Sequence, residues 1–464
     1  MSALLGLFVV HFGGALALAL VTGAPFVETV RSPSAAWVAI AGLYAGTLGL
    51  AGALVLILVA VSIGLGRRQP RERPPRLPWA ALGLLALLVL ARPMMPTQWD
   101  EFVWLAKARL ESLGFGASVA AALDPQAHVI PPGYPPLWPA AVGWLSLGRD
   151  ELATHVVAGS LLVLLCVATA VEGVAMALAG ARPRAVTLAV LLVSAPFVWV
   201  HLRSTYVDLP VGLLAVALLA NLLVPSRLGV SSVLALVLVA VKDEGIAHVL
   251  AASLSAVLVR RSPLVLVPAA TAVVAATAWR MLAQSHGVVI VDHAFAALQW
   301  GWVPTLGRLL ALHATDVWTW GVFWAVTPVV LFLVPGQPLA RASRLMLALD
   351  LGLLCGALLV GPERVRVFAE NGTLLNRLLV QLWPTACLTL LLALDASRRA
   401  ALLPGGHRPQ VAHLEASSLE HPAGVGAASS RVAIHHHLVA AAADRVELHP
   451  QHLQGDVLRA GDVP

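Results

Sequence analysis

Two adjacent carboxylates, Asp100 and Glu101, open an amphipathic segment in a chain that carries few charges. A carboxylate can take the proton of an acceptor hydroxyl as a general base. A charged side chain costs roughly 2.5 to 3.5 kcal/mol at the centre of a membrane helix, so those kept in a hydrophobic chain are candidates for function. Asp100 and Glu101 are therefore candidate catalytic residues, and a cap on a surface helix is the alternative.

A second group of charged side chains interrupts later apolar runs. In "STYVDLPVGLL", Asp208 precedes a proline at the start of an apolar segment, where it is either a third catalytic candidate or a helix N-cap. In "VAVKDEGIAHV", one of the chain's two lysines, Lys242, stands beside Asp243 and Glu244. The ammonium of Lys242 can pair with these carboxylates or bind a phosphate oxygen, so Lys242 and Glu244 are candidate substrate-binding residues.

Three arginines and one tyrosine complete the candidate set. Arg377 lies in "ENGTLLNRLLVQLWP" at the start of the last long apolar run, while Arg203 and Arg109 are included from their placement. For an isolated arginine, the alternative is an anchor at the membrane interface. Tyr134, in the proline-rich "HVIPPGYPPLWP", belongs either to an aromatic belt or to a sugar-facing wall.

The elements that position these residues are predicted to be membrane helices. The 464 residues are 59% hydrophobic and 12% charged, and the mean hydropathy of +0.84 exceeds that of soluble domains. Since about 20 apolar residues cross a bilayer as a helix, we predict an all-α polytopic bundle of about 12 spans. The predicted spans are 3–21, 36–64, 78–92, 152–179, 186–200, 209–224, 229–241, 246–259, 263–282, 318–334, 345–361 and 374–394.

Arginine clusters between these segments predict the orientation of the chain. Five arginines lie between the second and third spans, at Arg67, Arg68, Arg71, Arg73 and Arg76. Because cytoplasmic loops carry an excess of basic residues, this loop and the amino terminus are predicted to be cytoplasmic. The later arginine clusters then fall on the same side, which indicates topology and not nucleic-acid binding. The candidate residues fall on the outer face.

The long outer loop, 93–151, is predicted to carry a juxtamembrane helix. At 100° per residue, Asp100, Lys107 and Glu111 share one face. The opposite stripe contains Phe102, Leu105, Ala106 and Leu113. We expect the polar face to point to water and the stripe to the membrane, with Arg109 in the stripe either snorkelling or bound to an anion, such as a lipid headgroup or phosphate. The stretch "LWPAAVGWLSLG" from Leu137 is predicted to be interfacial or re-entrant.

The motifs together resemble those of the GT-C superfamily of polyprenol-dependent glycosyltransferases, which includes protein O-mannosyltransferases and the aminoarabinose transferase acting on lipid A. The resemblance covers roughly residues 90–395 and rests on "WDEF", "YPPLWP", "YVDLP", "KDEG" and "NRLLVQLWP" in their order. It implies that Asp100 faces the glycosidic carbon with Glu101 as its neighbour, and that Asp208 helps to hold the acceptor. It further implies that Lys242 and Arg377 bind the lipid phosphate.

The resemblance implies three regions. Residues 1–76 are an added N-terminal pair of transmembrane helices, 77–398 a GT-C-like catalytic domain, and 399–464 a poorly ordered cytoplasmic tail. The tail contains eight of the sixteen histidines, and their spacing is irregular for a metal site. We expect no metal ligands among the candidate residues and no bound cofactor, although a role for a divalent metal stays open.

The implied activity is transfer of a sugar, with inversion, from a polyprenyl-phosphate carrier to a lipid, glycan or protein acceptor. The arginine-rich, lysine-poor composition is typical of a bacterium of high genomic GC content. We therefore expect the chain in the bacterial inner membrane, where the predicted topology gives it an outward-facing site. Two alternatives stay open. A secondary transporter would use the charged pairs as a substrate pathway, and a non-catalytic subunit of a polysaccharide-assembly system would carry a degenerate site.

Overall fold

A computed structural model describes residues 1–69, 77–91, 96, 99–127, 133–178, 182–192, 194–288, 297–321, 323–333 and 337–402. These residues form helices and turns, and they contain no strand. The predicted all-α class is therefore confirmed. The chain divides into two units, Met1–Pro404 and Gly405–Pro464. Beyond Leu402, the predicted tail lies outside the described residues.

The N-terminal region differs from the predicted pair of spans. Its helices are α1 (Ser2–Thr22), α2 (Phe26–Val30), α3 (Ser34–Thr47), α4 (Leu50–Arg67) and α5 (Trp79–Ala91). The prediction of one span over 36–64 is wrong, because the chain reverses between α3 and α4 at Gly49, whose φ is +58°. Gly52 then lies against the carbonyl of Ala45, where a Cβ atom would be only 1.8 Å from the oxygen. A run without charged residues hides this reversal.

The two ends of the bundle are named after residues at the two ends of the buried helix α12 (Asp208–Leu222). At the Asp208 end α12 begins, and at the Arg227 end the turn that follows α12 contains Arg227. Both α3 and α4 have an end at Arg227. The Arg227 guanidinium donates to Ser34 Oγ at 3.4 Å, and Gly66 packs against the backbone of Ser226. The hairpin therefore begins and ends on one side of the bundle.

The start of α1 lies at the other end. Gly6 packs against the backbone of Leu145. Leu145 ends a short helix, and the indole of Trp138 in that helix donates to the carbonyl of Thr205, just before Asp208. The prediction that the amino terminus and the Arg67 loop lie on one face is therefore wrong. The difference arises because this hairpin has one helix more than the predicted single span. One additional crossing places every segment before the hairpin on the opposite face.

Three short helices follow in the predicted outer loop: α6 (Trp99–Arg109), α7 (Ala117–Ala122) and α8 (Leu137–Leu145). The predicted α6 exists, but its polar face is buried. Glu101, Lys107 and Glu111 are buried, whereas Phe102 is 46% and Leu113 80% exposed, and Leu105 of the same apolar stripe is buried. Burial lowers the pKa of Lys107 to about 8. The polar face packs into the protein, so the prediction that it points to water is wrong.

Glu111 fixes the fold of this loop. Its carboxylate accepts hydrogen bonds from the backbone amides of Gly116 at 2.8 Å and Ser118 at 2.9 Å, and from the Trp144 indole at 2.8 Å. Gly143 packs directly on the Glu111 side chain. The segment from Leu137 is thus a buried nine-residue helix, supported by the bonded Glu111 carboxylate, and its position as an interfacial or re-entrant segment stays a prediction.

The remaining helices form the bundle around α12. They are α9 (Leu152–Ala177), α10 (Arg182–Leu192), α11 (Pro196–Leu202), α12, α13 (Leu228–Val241), α14 (Gly245–Arg260), α15 (Leu266–Ser285), α16 (Val303–Ala314), α17 (Val317–Trp320), α18 (Phe323–Leu333), α19 (Pro338–Val360), α20 (Glu363–Glu370) and α21 (Thr373–Leu402). All residues of α12 are buried, and it contacts α9, α13, α14 and α21. The site can therefore be built from one helix start and its neighbours.

Six helices of the described part are long and apolar enough to cross a membrane. They are Ser2–Thr22, Leu50–Arg67, Leu152–Ala177, Pro263–Ser285, Pro338–Val360 and Leu374–Leu394. Five more apolar helices are shorter, with α12 among them. The length and composition of the six support a multi-pass membrane protein.

A buried polar cluster joins the N-terminal hairpin to the bundle at the Arg227 end. The Glu172 carboxylate accepts from Ser32 Oγ and Ser34 Oγ, each at 2.5 Å, and from Arg227 Nη2 at 2.9 Å. Arg227 Nε donates to Asn221 at 2.8 Å. We call these five residues the Glu172 clamp. It joins four separate parts of the chain, so it should contribute to stability more than a surface ion pair does.

Replacing Glu172 with glutamine is expected to destabilise the protein by about 3 kcal/mol, because Arg227 would keep its charge without a carboxylate. The measurement is unfolding in detergent, followed by tryptophan fluorescence. Asp150→Asn is the matched control, since Asp150 is 62% exposed in its pair with Arg109 and should change stability little. Equal unfolding of Glu172→Gln and wild type would contradict a stabilising role for the clamp.

Candidate functional site

Asp208 is the centre of the candidate site. Its side chain is fully buried, and three residues donate to its carboxylate. Lys242 Nζ lies 2.7 Å from Oδ1, Gln381 Nε2 lies 2.8 Å from Oδ1, and Arg377 Nε lies 2.8 Å from Oδ2. We call these four residues the Asp208 centre. The prediction that Asp208, Lys242 and Arg377 share one face of the bundle is confirmed, and they are in direct contact.

The turn between α13 and α14 brings Lys242 to Asp208. Helix α13 ends at Val241, and Lys242 adopts an extended backbone with φ −159° and ψ 144°. The next helix starts at Gly245, where a Cβ atom would stand 2.1 Å from the carbonyl of Leu238. Only glycine fits so close an approach. The sequence "KDEG" therefore encodes a reversal that points its lysine at the start of α12.

Glu244 extends the cluster toward the outer loop. Its Oε1 lies 3.1 Å from Lys242 Nζ, and its Oε2 accepts from the Tyr134 hydroxyl at 3.2 Å. Burial disfavours the charge of Lys242, but Asp208 and Glu244 outweigh it and raise its pKa. Burial, and then the charge of Glu244, raises the pKa of Tyr134 well above its ordinary value. Lys242 is thus held as a cation and Tyr134 as a neutral donor.

The charges of this cluster decide its chemistry. Two cations beside Asp208 stabilise its ionised form, which makes the carboxylate a weak base. Its effect is instead to hold Lys242 and Arg377 side by side. Two carboxylates, on Asp208 and Glu244, balance the two cations. Arg377 and Glu244 have the more exposed side chains, at 26% and 27%, so a ligand would meet the cluster there.

The rings of Trp104 and Tyr134 connect helix α6 with the Asp208 centre. The Trp104 ring lies edge-on to the Tyr134 ring, with centroids 6.0 Å apart. Asp100 occupies a helical position one turn before Trp104, and its side chain is outside the described part of the chain. Glu101 is buried, at 3% exposure. The backbone of α6 thus brings the positions of Asp100 and Glu101 within about one helical turn of Trp104, whose ring contacts Tyr134.

Two of the predicted phosphate ligands are placed differently. Arg109 forms a two-point pair with Asp150, with Nε at 2.8 Å from Oδ1 and Nη2 at 2.9 Å from Oδ2. Both side chains are about half exposed, and Asp150 belongs to the connection before α9. Arg203 is half-buried between α11 and α12. Arg109 already has an anion in Asp150, which is neither the lipid headgroup nor the phosphate of the prediction.

Several polar residues near Asp208 were missed by the reasoning from sequence. Gln381 follows Arg377 by one helical turn, so the i, i+4 spacing would have been a signal for it. Its Oε1 lies 3.1 Å from His248 Nε2, one turn after Glu244. The His248 ring in turn contacts Asp350 at 3.1 Å. A lone acid within the apolar run of α19 was the available signal for Asp350.

Aromatic rings cover the other side of Arg377. Its guanidinium carbon is 5.9 Å from the centre of the Tyr206 ring, a cation–π distance. The ring of His201 is 5.0 Å from that of Tyr206, and the buried His201 Nδ1 has no hydrogen-bond partner among the residues that the structure describes. Arg377 therefore lies between a carboxylate and an aromatic face, which restricts its guanidinium to one plane.

The ligand chemistry that fits this arrangement is anionic. Lys242 and Arg377 could hold a phosphate group, with Tyr134 as a neutral hydrogen-bond donor beside them. Among the described residues, no group of three or more His, Cys, Asp and Glu side chains is arranged to hold a metal ion. In comparisons with known proteins, no family model, no curated protein and no solved structure matches the chain.

Proposed function

We propose that the protein is a membrane glycosyltransferase that moves a sugar from a polyprenyl-phosphate carrier to an acceptor outside the cytoplasm. The single observation that supports this most is the Asp208 centre, where Lys242 and Arg377 meet one fully buried carboxylate. Burying two cations at the end of an apolar bundle is costly. A phosphate bound to a membrane lipid is an anion that would need both of them there.

The proposed reaction is a single displacement with inversion. The acceptor oxygen forms a bond to the anomeric carbon, while the bond from that carbon to the phosphate oxygen breaks and its electron pair leaves with the phosphate. The acceptor proton passes to a carboxylate. Lys242 and Arg377 stabilise the charge that grows on the departing phosphate. The acceptor can be a lipid, a glycan or a protein, because this chemistry requires only a hydroxyl group.

The two acidic motifs then have separate tasks. Asp208 is held ionised by two cations, so it positions them and is a poor proton acceptor. Asp100 is the proposed base, with Glu101 as its neighbour, because the backbone of α6 places it one helical turn before Trp104, whose ring contacts that of Tyr134. Glu244 and Tyr134 would line the entrance to the donor phosphate. Arg203, close before Asp208 in the chain, is a further proposed contact to the substrate.

We further propose a GT-C-type arrangement in the bacterial inner membrane. If the five shorter apolar helices also cross, with α3 and α4 counted separately, the described part of the chain has about 11 spans. The arginine-rich Arg227 end would then face the cytoplasm. The Asp208 centre and the start of α1 would face outward. Such a boundary is where a membrane-bound donor and a polar acceptor can meet.

Replacing Arg377 with glutamine is expected to lower transfer about 100- to 1000-fold, because one of the two charges that stabilise the leaving phosphate is lost. Protein in nanodiscs is supplied with polyprenyl-phosphate sugars from the cells, and their consumption is followed by mass spectrometry. Arg109→Gln is the matched control and should keep wild-type transfer. If Arg377→Gln consumed the donor as fast as wild type, the phosphate role of Arg377 would be refuted.

A secondary transporter is the competing function, and one observation favours it. Buried polar residues continue from Asp208 through Gln381 and His248 to Asp350 in mid-helix, as proton-coupled transporters arrange them. The proposals differ in what happens to the carrier lipid. A transferase releases free polyprenyl phosphate in a uniform detergent solution, whereas a transporter needs two compartments and leaves the carrier intact.

A further inference from the structure

His248 and Asp350 form a buried pair that the proposed reaction does not use. Each side chain is 1% exposed, and His248 Nδ1 lies 3.1 Å from Asp350 Oδ2. The two atoms are not aligned as a regular hydrogen bond, and Asp350 Oδ1 has no hydrogen-bond partner within the described part of the chain. An acid so placed is costly unless a proton or a cation compensates it. His248 is the group that contacts it.

The hydrogen bonds beside this pair determine which nitrogen of His248 carries a hydrogen. The Asp208 carboxylate, held by Lys242 and Arg377, can only accept, so the Gln381 atom that faces it must be the NH₂ group. The carbonyl oxygen of Gln381 then points at His248 Nε2, at 3.1 Å. That nitrogen must therefore carry a hydrogen. The ring of His248 thus presents Nδ1 to Asp350 and Nε2–H to Gln381.

We propose that His248 and Asp350 are positioning residues for the Asp208 centre, because together they orient the Gln381 amide that donates to Asp208. Asp350 keeps the imidazole in the orientation that directs Nε2–H toward Gln381, in the way an acid behind a histidine orients a ligand or a base. Without that donor, the Gln381 carbonyl loses its partner and the amide can turn. An amide that presents its oxygen to the Asp208 carboxylate repels it.

This inference rests on the proposed function only for its effect on transfer. The orientation of Gln381 exists with or without catalysis, so it can be measured directly. A turned amide would shift Asp208 and, with it, the lysine and the arginine that bind the donor phosphate. We therefore expect the loss to appear in kcat for transfer, while the protein still inserts in the membrane and folds.

The test compares three variants in nanodiscs. His248→Leu with Asp350→Leu removes both polar groups together, so no lone buried acid is left behind. His248→Gln keeps an N–H donor near the Nε2 position and serves as the conservative replacement. Ser343→Ala is the matched control, because Ser343 is buried in the same helix as Asp350 and, in the described part of the chain, its hydroxyl donates to the Ala340 carbonyl within that helix.

The first measurement is the side-chain amide NMR signal of Gln381 in glutamine-labelled protein, assigned by its loss in Gln381→Leu. It is expected to be rigid in wild type, His248→Gln and Ser343→Ala, and mobile in the double leucine variant. The second is transfer, expected to fall about tenfold in the double variant and to stay within about threefold of wild type in His248→Gln.

The outcomes separate the two proposals. A Gln381 amide that is mobile in wild type, or equally rigid in the double variant, overturns the positioning role. So does unchanged transfer in a double variant whose amide has become mobile. If wild type performs no transfer while the NMR differences appear as expected, the proposed function fails and the orientation of Gln381 by His248 and Asp350 is still supported. Should the double variant not fold, Asp350→Asn and His248→Phe are measured in the same way.

Discussion

Replacing Asp208 with asparagine is expected to lower transfer by roughly a hundred- to a thousandfold and to destabilise the bundle at the same time. The carboxylate is fully buried and accepts from Lys242, Arg377 and Gln381 at 2.7 to 2.8 Å. Asparagine has one acceptor oxygen for three donors, and its own NH₂ group would face at least one of them. Leaving buried cations without their anion costs about 3 to 5 kcal/mol.

The loss of transfer can be separated from the loss of stability. Asp208→Asn leaves the cluster one positive charge in excess, and adding Lys242→Met restores the balance with Glu244 and Arg377. The double variant should unfold closer to wild type than Asp208→Asn alone, yet it should transfer no faster. Asp150→Asn, an acid at the same end of the bundle, is the control. Recovery of transfer in the double variant would mean that the charge on Lys242 has no part in the reaction.

Replacing Asp100 with asparagine is expected to lower kcat for transfer about 10²- to 10⁴-fold, the usual contribution of a general base, with little change in stability. Glu101→Gln is the informative partner, since Glu101 is buried at 3% exposure in the same helix turn. That change should destabilise the protein more and slow transfer less. Both are measured on nanodisc protein, with donor consumption for kcat and fluorescence for unfolding.

The opposite pattern would change which residue is assigned as the general base. If Glu101→Gln abolished transfer and Asp100→Asn left it intact, Glu101 would be the base. Full activity in both Asp100→Asn and Asp208→Asn, at normal membrane levels, would remove both acidic motifs from the mechanism and leave only the cations as donor ligands.

The sequence predicted the site better than the path of the chain around it. Charges that break apolar runs are costly, so the positions of Asp208, Lys242 and Arg377 could be picked out before their contact was known. Arg109 could not be judged in this way, because its partner Asp150 lies in another segment. The Glu172 clamp could not be predicted for the same reason, since hydrogen bonds between distant segments leave no pattern of spacing in the sequence.

Two errors have a physical cause. For α6, the spacing at 100° per residue predicted the helix, but periodicity does not tell whether the polar face meets water or the rest of the protein. Here Glu101, Lys107 and Glu111 are buried, and Phe102 and Leu113 are exposed. For 36–64, hydropathy detects apolar length and not direction. A reversal at Gly49 needs no charged residue, so the glycine is its clearest mark.

The Glu172 clamp also sets an order for assembly during synthesis. Ser32 and Ser34 emerge early from the ribosome, but their acceptor Glu172 and the guanidinium of Arg227 follow much later. Until the chain has grown past Glu172, the α3–α4 hairpin has none of these bonds to the bundle, and the bonds from Arg227 follow later still. Contacts among the first helices, such as the bond from the Thr29 hydroxyl to the Ala15 carbonyl, can form before then, and closing the clamp fastens the earliest part of the protein to one of its later parts.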